Sequence, residues 1–271
     1  MSIHQHVIHN NELCDKQNLE FPFLDGGFLY GYGLFESIRI KAGQPVLWDA
    51  HIKRLNYGAN VMDILCQVST QELKEKTTQL IEKNEVQEGM INIYITAGDR
   101  PDQGWIFDQP LCLVVSRDLP QIKDNIELLV KEESFQRVPL DGFKTMAYFK
   151  NILERKLYPM ADDIILYDQK KEILETPMSN VFFVQENRVI TPKSTRVLPG
   201  IIRNYLIQNQ ADLNIQVEER SVWLDELQDM EEVFTTNAIR GIQTVENVED
   251  YPILKSGPIT HSLQERLATS L

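Results

Sequence analysis

The segment from Phe143 to Asn180 constrains this chain most, because it sets one lysine and one glutamate in a fixed series of elements. It reads FKTMAYFKNILERKLYPMADDIILYDQKKEILETPMSN. Lys144 precedes a run with helical spacing, which predicts a helix over Thr145–Tyr158, and two short apolar strands then form a hairpin that ends at Glu175. An amine can hold an aldehyde cofactor as a Schiff base, and a carboxylate can keep its ring nitrogen protonated. Lys144 and Glu175 could supply both groups, but the pair alone is not specific.

Further motifs follow this lysine in a constant order. They are Asp163 to Asp168, Glu175 with Asn180-Val181-Phe182, Thr191-Pro192, and Leu198-Pro199-Gly200-Ile201-Ile202-Arg203. In this order the blocks resemble the class-IV aminotransferase family, whose members use pyridoxal 5′-phosphate, and the resemblance spans most of the chain. It implies an α+β protein with two α/β-mixed domains of the fold-type IV kind, similar to D-amino-acid aminotransferases, with the active site at the domain interface. It also implies a homodimer.

The same pattern predicts a domain division. Residues 118–124 contain Pro120 and connect the last strand of one apolar series to the first strand of the next. We predict a smaller N-terminal domain over 1–117, a linker over 118–124, and a larger C-terminal domain over 125–271 that carries the Schiff-base lysine. The second domain's sheet should begin at Asn125–Glu132, where Ile126, Leu128 and Val130 alternate.

The resemblance assigns cofactor-binding roles to particular positions. Trp48-x-x-His51-x-x-Arg54-Leu55 is similar to the family motif in which the arginine binds the cofactor phosphate, and a planar guanidinium suits that task. A helix that opens at Ile201 would offer main-chain N–H groups to an anion. The expected cofactor-binding residues are Arg54, Lys144, Tyr148, Glu175, Ile201, Ile202, Asn237 and Ala238, and Lys144 is the expected catalytic residue.

A strand over Leu34–Ile40 carries the predicted substrate residues. Alternation puts Phe35, Ser37 and Arg39 on one side, and the family lines its substrate pocket with the corresponding side. We therefore expect Tyr30, Phe35, Ser37 and Arg39 around the substrate. A half-exposed hairpin strand that turns at Lys41–Gln44 explains the same pattern without a binding role. Whether Arg39 or Arg240 would bind a substrate carboxylate stays open.

Two sequence details bear on the reaction. Asn237-Ala238 replaces the Ser-Thr of several aminotransferases and resembles lyases that convert 4-amino-4-deoxychorismate to 4-aminobenzoate and pyruvate in folate biosynthesis. Ala97 follows Thr96, where D-amino-acid aminotransferases carry an arginine for the substrate carboxylate. The lyase is the favoured prediction. A branched-chain or D-amino-acid aminotransferase is the alternative, and a non-catalytic binding protein would require the loss of Lys144 or Glu175.

Composition excludes some partners. The net charge of −13 argues against nucleic acid, because phosphate backbones select basic faces. Three separated cysteines, Cys14, Cys66 and Cys112, fit buried reduced thiols. No apolar run has the length of a membrane span, so we expect a cytoplasmic enzyme with a small-molecule substrate. His4, His6 and His9 lack metal-ligand spacing, and no metal is expected.

Overall fold

The structure is a computed structural model that describes residues 2–65, 69–100, 105–123, 125–251 and 257–271. Its chain divides into two compact units: the first unit contains Met1–Gln121 and Lys144–Tyr148, and the second contains Ile122–Phe143 and Phe149–Leu271. The segment with Lys144 thus packs with the N-terminal residues, although it follows the predicted linker in sequence. Part of that linker and one of the three cysteines lie outside the described residues, namely Asp124 and Cys66.

A six-stranded antiparallel sheet with three helices forms the first unit. The strand order is β2-β1-β6-β5-β3-β4, and α2 packs against β3 while α3 packs against β1, β2 and β6. Alternating apolar residues in the strands face these helices and form the core. The elements are β1 (Ile3–His9), β2 (Glu12–Asp15), α1 (Gly26–Tyr30), β3 (Gly33–Lys41), β4 (Gln44–Pro45), α2 (Trp48–Val61), α3 (Thr70–Lys83), β5 (Gly89–Thr96) and β6 (Cys112–Arg117).

The hairpin between β3 and β4 confirms the predicted turn at Lys41–Gln44. Ala42 and Gly43 hold the turn in the left-handed region, with φ of 49° and 72°. Gly43 adopts this conformation without steric cost, and the paired positions 40 and 45 fix the register of the hairpin. The long strand β3, which lies next to the edge strand β4, is therefore anchored at its far end.

Only part of the predicted helix over Thr145–Tyr158 is helical, and the rest of that prediction is wrong. The helix is α4 (Phe149–Leu157), whereas Lys144–Tyr148 runs as an irregular segment along the start of β3. The Met146 N–H donates to the Gly33 carbonyl at 2.8 Å. Main-chain hydrogen bonds to β3 replace the helical ones here, and a local periodicity carries no information about such distant partners.

A nine-stranded mixed sheet forms the second unit, in the order β12-β11-β10-β14-β15-β7-β8-β9-β13. The pairs β11–β12, β15–β7 and β7–β8 are parallel, and the remaining pairs are antiparallel. The elements besides α4 are β7 (Asn125–Glu132), β8 (Asp163–Tyr167), β9 (Glu172–Ile173), β10 (Asn180–Gln185), β11 (Arg188–Pro192), α5 (Ile201–Gln208), β12 (Val217–Arg220), β13 (Val222–Trp223), β14 (Glu232–Asn237), β15 (Gly241–Val248) and α6 (Pro258–Ser270).

The centre of this second sheet is apolar on both faces. Val181 and Phe183 point to one face of β10 and Phe182 to the other, and all three are fully buried. Phe182 stacks on Phe234 of β14 at a centroid distance of 4.8 Å. Such packing makes β10 and the loop before it a rigid support, and Glu175 lies at the start of that loop.

Neither of the two described cysteines forms a disulfide. Cys112 is buried, as predicted, whereas Cys14 is only half-buried because it lies on the edge strand β2. Burial raises the pKa of the Cys14 thiol, and the charges of Asp15 and Glu12 raise it further. A raised pKa keeps a thiol protonated and unreactive.

Candidate active site

Lys144 lies on the segment that pairs with β3, where its carbonyl accepts a hydrogen bond from the Phe35 N–H at 2.9 Å. This pairing brings its side chain against two aromatic rings. The Nζ atom lies 4.3 Å from the centroid of the Phe35 ring and 5.3 Å from that of Tyr148. The two rings meet edge to face at a centroid distance of 5.3 Å. Contact with aromatic faces stabilises an ammonium and fixes its position. The first unit thus holds a half-buried amine in a defined place.

Glu36 and His51 are buried and Arg54 is half-buried, and the three form a hydrogen-bonded group that we call the Glu36 triad. Glu36 lies on the buried face of β3 with 1% of its surface exposed. The Arg54 Nε and Nη2 atoms donate to its two carboxylate oxygens at 2.7 Å each. The His51 Nδ1 lies 2.7 Å from one of these oxygens. Because a carboxylate only accepts, Nδ1 carries the hydrogen.

The charges in the triad follow from burial and from these contacts. Burial by itself raises the pKa of Glu36, but the charge of Arg54 and the hydrogen bonds from His51 and Arg54 outweigh it and bring the pKa down to about 2. Burial lowers the pKa of His51, more than its contact with Glu36 raises it, and the charges of Arg54 and Lys144 lower it further. At neutral pH the triad therefore contains a carboxylate, a guanidinium and a neutral imidazole.

The substrate residues predicted on β3 share one face, but they do not share partners. Phe35, Ser37 and Arg39 are half-buried, in alternation with the buried residues of the strand. Ser37 Oγ accepts a hydrogen bond from the Asn92 side chain at 2.9 Å, and Arg39 pairs with the exposed Glu88 at 3.5 Å. Phe35 is therefore the member of this set that lies beside Lys144, while Arg39 lies towards the far end of the strand.

Tyr30, the fourth predicted substrate residue, belongs to an exposed aromatic group with an arginine. The Arg100 Nη1 donates to the Tyr30 hydroxyl at 2.9 Å, and the Arg100 guanidinium carbon lies 4.5 Å from the centroid of the Trp105 ring. Trp105 and Tyr30 meet edge to face at 5.8 Å. Ala97 is buried and its N–H donates to a main-chain carbonyl. Arg100 therefore brings a positive charge to this surface, although position 97 does not.

Glu175 is buried in the second unit, where its carboxylate accepts hydrogen bonds from Arg137, Asn180 and Leu198. The Arg137 Nη1 donates to one carboxylate oxygen at 2.6 Å. The Asn180 side-chain amide donates to the other at 2.9 Å, as does the Leu198 N–H at 3.2 Å. Arg137 is itself buried, with 7% of its surface exposed. Three donors, one of them cationic, favour the carboxylate form of Glu175 and fix its orientation.

The helix α5 begins beside this acid. Gly200 is its N-cap residue and has no side chain to accept from the first N–H groups, while Ile201 and Ile202 are buried. A Cβ atom at Gly200 would overlap the Asn180 side-chain oxygen. The main chain thus approaches Asn180 closely, and α5 presents its N–H groups rather than side chains to any anion at this end.

A turn between β14 and β15 lies next to these residues. The Asn237 side-chain amide donates to Ser179 Oγ at 3.0 Å, and its oxygen accepts from the N–H groups of Ile239 and Arg240 at 3.1 and 2.8 Å. Ser179 adjoins Asn180, so this turn and the Glu175 site form one continuous region of the second unit. The Ala238 side chain is only a methyl group, and the Asn237 side chain forms its hydrogen bonds with Ser179 and within the turn.

The predicted residues thus fall into two groups. The first unit brings Lys144, Phe35 and Tyr148 together near the Glu36 triad that contains Arg54, while Ser37, Arg39 and Tyr30 have other neighbours. The second unit brings Glu175 together with the start of α5 and the Asn237–Ala238 turn. The family roles assigned to these residues stay predictions.

Three residues of the site escaped the sequence analysis. Glu36 carried a detectable signal, because an acid between two apolar residues on the buried face of a strand requires a partner. Arg137 carried none, since it lies in a polar loop that resembles any exposed loop. Arg100 lies three residues after position 97, where D-amino-acid aminotransferases carry an arginine. Because Ala97 occupies the motif position itself, the motif did not identify Arg100.

The described parts of the chain contain no group of three or more His, Cys, Asp or Glu side chains that could hold a metal ion. No helix in these ranges is long and apolar enough to cross a membrane.

Comparisons with known proteins identify the relatives of this chain. The profile of the family described as Amino-transferase class IV matches residues 33–248. The chain is 29% identical over 267 residues to the aminodeoxychorismate lyase of Bacillus subtilis, which covers 92% of this chain and 89% of that protein. It is 25% identical over 268 residues to a putative branched-chain-amino-acid aminotransferase of Methanocaldococcus jannaschii, covering 95% of this chain and 93% of the relative. The crystal structure of a putative 4-amino-4-deoxychorismate lyase from Legionella pneumophila superposes with a TM-score of 0.86 at 25% identity, over 94% of this chain and 97% of that one. This likeness confirms the fold that the sequence predicted.

Proposed function

Because the chain belongs to the amino-transferase class IV family, whose cofactor is pyridoxal 5′-phosphate, we propose that it is a lyase that converts 4-amino-4-deoxychorismate to 4-aminobenzoate and pyruvate. The family makes it a pyridoxal-phosphate enzyme. The particular reaction rests on the features below, since both lyases and aminotransferases are among the relatives.

The residues present fit this cofactor. An aldehyde needs an amine, and Lys144 offers one held against two aromatic rings. A protonated pyridine needs a buried carboxylate, and Glu175 is buried with three donors that favour its charged form. A phosphate needs cationic and main-chain donors, which Arg54 and the start of α5 offer in their respective units. We propose that these residues bind the aldehyde, the ring nitrogen and the phosphate, and that Tyr148 binds the ring oxygen.

The chemistry divides between the cofactor and the chain. When bound, pyridoxal phosphate supplies an electron-withdrawing ring that weakens the bonds at the substrate carbon bearing the amine. Lys144 would hold the aldehyde of the cofactor, and it would also act as the general base that accepts the proton of the ring carbon bearing the amine. The Glu175 carboxylate would accept a hydrogen bond from the protonated ring nitrogen of the cofactor and so favour that protonated form. As the substrate ring becomes aromatic, the carbon–oxygen bond to the enolpyruvyl group breaks, and Lys144 can return a proton as that group becomes pyruvate. No water is consumed.

The Asn237–Ala238 turn is the observation that favours the lyase. Its side chains offer no hydroxyl groups, and Asn237 uses its amide for Ser179 and for two N–H groups of the turn. Several aminotransferases have Ser-Thr here, so their turn offers side-chain donors that this one lacks. The similarity to the Bacillus subtilis lyase supports the same choice.

An aminotransferase acting on branched-chain or D-amino acids is the second candidate. Arg100 favours it, because a guanidinium beside Tyr30 could bind the α-carboxylate of an amino acid. The Methanocaldococcus jannaschii relative supports it as well. The proposed substrate also carries carboxylates, so Arg100 is compatible with both candidates. The homodimer, the cytoplasmic location and the roles of Tyr30, Phe35, Ser37 and Arg39 are proposed on the family resemblance.

The test is a direct product assay. Purified protein with added pyridoxal phosphate is mixed with enzymatically generated 4-amino-4-deoxychorismate, and 4-aminobenzoate is measured. A parallel reaction contains L-leucine or D-alanine with 2-oxoglutarate, and glutamate is measured. We expect aminobenzoate and little glutamate. Glutamate without aminobenzoate would reverse the choice.

Matched lysine variants control this assay. Lys144→Ala should abolish product formation and the visible absorbance of the bound cofactor. Lys150→Ala should retain both, because Lys150 lies in α4 of the second unit, where its Nζ contacts the Gln136 carbonyl and the Asp141 carboxylate at 3.5 Å each. If wild-type protein shows no cofactor absorbance, both enzyme candidates fail and the non-catalytic binding protein remains.

A further inference from the structure

Glu36 is the buried acid nearest to the proposed phosphate-binding arginine, and the function above gives it no task. It binds Arg54 through two hydrogen bonds and His51 through a third. We propose that Glu36 and His51 are positioning residues that orient Arg54, so that recognition of the cofactor phosphate depends on a carboxylate that touches no ligand. This inference rests on the assignment of Arg54 to the phosphate in the proposed function.

The geometry of the contact fixes the guanidinium plane. Glu36 engages the Nε and Nη2 side of Arg54, which places Nη1 on the opposite side from the carboxylate. A bidentate contact of this kind permits little rotation about the last bonds of the arginine. The end of the guanidinium that carries Nη1 is therefore aimed by Glu36 before any phosphate arrives.

Glu36 can do this because its own position is rigid. It lies in the middle of β3, opposite Ile93 of the neighbouring strand β5, and α2 packs on the same strand. His51 lies one turn before Arg54 on α2, so both donors reach the carboxylate from one helix face. An arginine held in advance loses less conformational entropy when it binds an anion.

The charge balance of the triad also suits the task. Glu36 compensates the charge of the half-buried guanidinium while the phosphate is absent, and His51 adds a hydrogen bond without adding a charge. With a histidinium in that position the triad would carry a net positive charge in a buried place, which is costly. The site is thus stable when empty and still presents a cation to a phosphate.

A purely structural role is the competing explanation, since the triad also joins α2 to β3. The two explanations predict different effects on the binding of a ligand that lacks the phosphate. Pyridoxal has the same aldehyde and ring as the cofactor and lacks only the phosphate. A positioning role for Glu36 affects the phosphorylated ligand selectively, whereas loss of local structure affects both ligands.

The experiment measures the dissociation constants of the apoprotein for pyridoxal phosphate and for pyridoxal, by the visible absorbance of the bound ligand. Glu36→Gln should raise the dissociation constant for pyridoxal phosphate roughly 10- to 100-fold, the range expected when charge-assisted hydrogen bonds are lost. It should raise the dissociation constant for pyridoxal by less than about twofold. Asp118→Asn is the matched control, because Asp118 also pairs with a histidine, His4, but at the surface of the same unit. It should change neither constant.

A second pair of variants keeps the test decisive if Glu36→Gln does not fold. His51→Asn retains a donor near the Nδ1 position and should bind pyridoxal phosphate within about threefold of wild type. His51→Leu removes the donor. It should weaken the binding of pyridoxal phosphate roughly 5- to 10-fold and leave the binding of pyridoxal unchanged.

Specific outcomes would overturn the inference. Equal losses for both ligands in Glu36→Gln and His51→Leu would indicate a structural role, and unchanged affinity for pyridoxal phosphate in both variants would show that Arg54 needs no positioning. Wild-type protein that binds pyridoxal phosphate no tighter than pyridoxal would also overturn it, without affecting the assignment of Lys144. A failed lyase assay bears on the proposed substrate alone, because these measurements involve no turnover.

Discussion

Acid should remove the stabilisation that Glu36 gives to the first unit, and the pH at which it disappears is set by the structure. The contacts of Arg54 and His51 lower the pKa of Glu36 from 4.5 to about 2, against the opposing effect of burial. A carboxylate with a depressed pKa stabilises the folded state above its unfolded pKa, and this stabilisation is lost as the pH falls towards its folded pKa. The loss should therefore occur between about pH 4.5 and pH 2.

The magnitude follows from the difference between the two pKa values. A difference of about 2.5 corresponds to about 3.4 kcal/mol at neutral pH, of which about 1.4 kcal/mol remains at pH 3. Glu36→Gln should accordingly lower the free energy of unfolding by roughly 3 kcal/mol at pH 7 and by far less at pH 3. His51 affects stability at higher pH. Because its pKa is lower in the folded state, His51 of the unfolded chain takes up a proton at a higher pH than His51 of the folded chain. The free energy of unfolding of the wild type should therefore begin to fall below about pH 6.5.

Urea unfolding of the apoprotein at pH 7, 5 and 3, followed by tryptophan fluorescence, measures this difference between wild type and Glu36→Gln. Asp118→Asn serves again as the control, and it should leave the free energy of unfolding and its pH dependence close to those of wild type because its carboxylate is exposed. A wild-type–variant difference that stays constant from pH 7 to pH 3 would refute the reasoning. So would a variant as stable as wild type at pH 7.

Three further substitutions test the second unit and the lysine. Arg137→Met should lower the free energy of unfolding by about 3–5 kcal/mol, because Glu175 becomes a buried charge without its cation; adding Glu175→Gln should recover part of the loss, and no recovery in urea unfolding would contradict the pairing. Gly200→Ala should lower the melting temperature, with a cost of about 1–3 kcal/mol, because its methyl group would overlap the Asn180 side chain; an unchanged melting temperature would contradict that close approach. Lys144→Ala should eliminate cofactor absorbance while changing stability by no more than about 1 kcal/mol, as thermal unfolding can check.

The pattern of neighbouring residues in the sequence was sufficient to predict several of the strands, turns and helix ends. Alternation predicted β7 with both ends correct, at Asn125–Glu132, and the hairpin turn at Lys41–Gln44 followed from residues that favour turns. The helix expected to open at Ile201 begins there, with Gly200 as its N-cap residue directly after Pro199. These features depend on residues close in sequence, so the sequence alone contains their cause.

The sequence by itself determined the family and its cofactor, and it predicted the central pair, Lys144 and Glu175, because these are read from motifs of adjacent residues. Tertiary structure alone decided that Lys144 lies against Phe35 on an irregular segment rather than on a helix. It also decided that Arg54 is held by Glu36 and that Glu175 is paired with Arg137. Each of these contacts joins residues far apart in the chain, and their energies depend on burial and on hydrogen-bond geometry that exist only after folding.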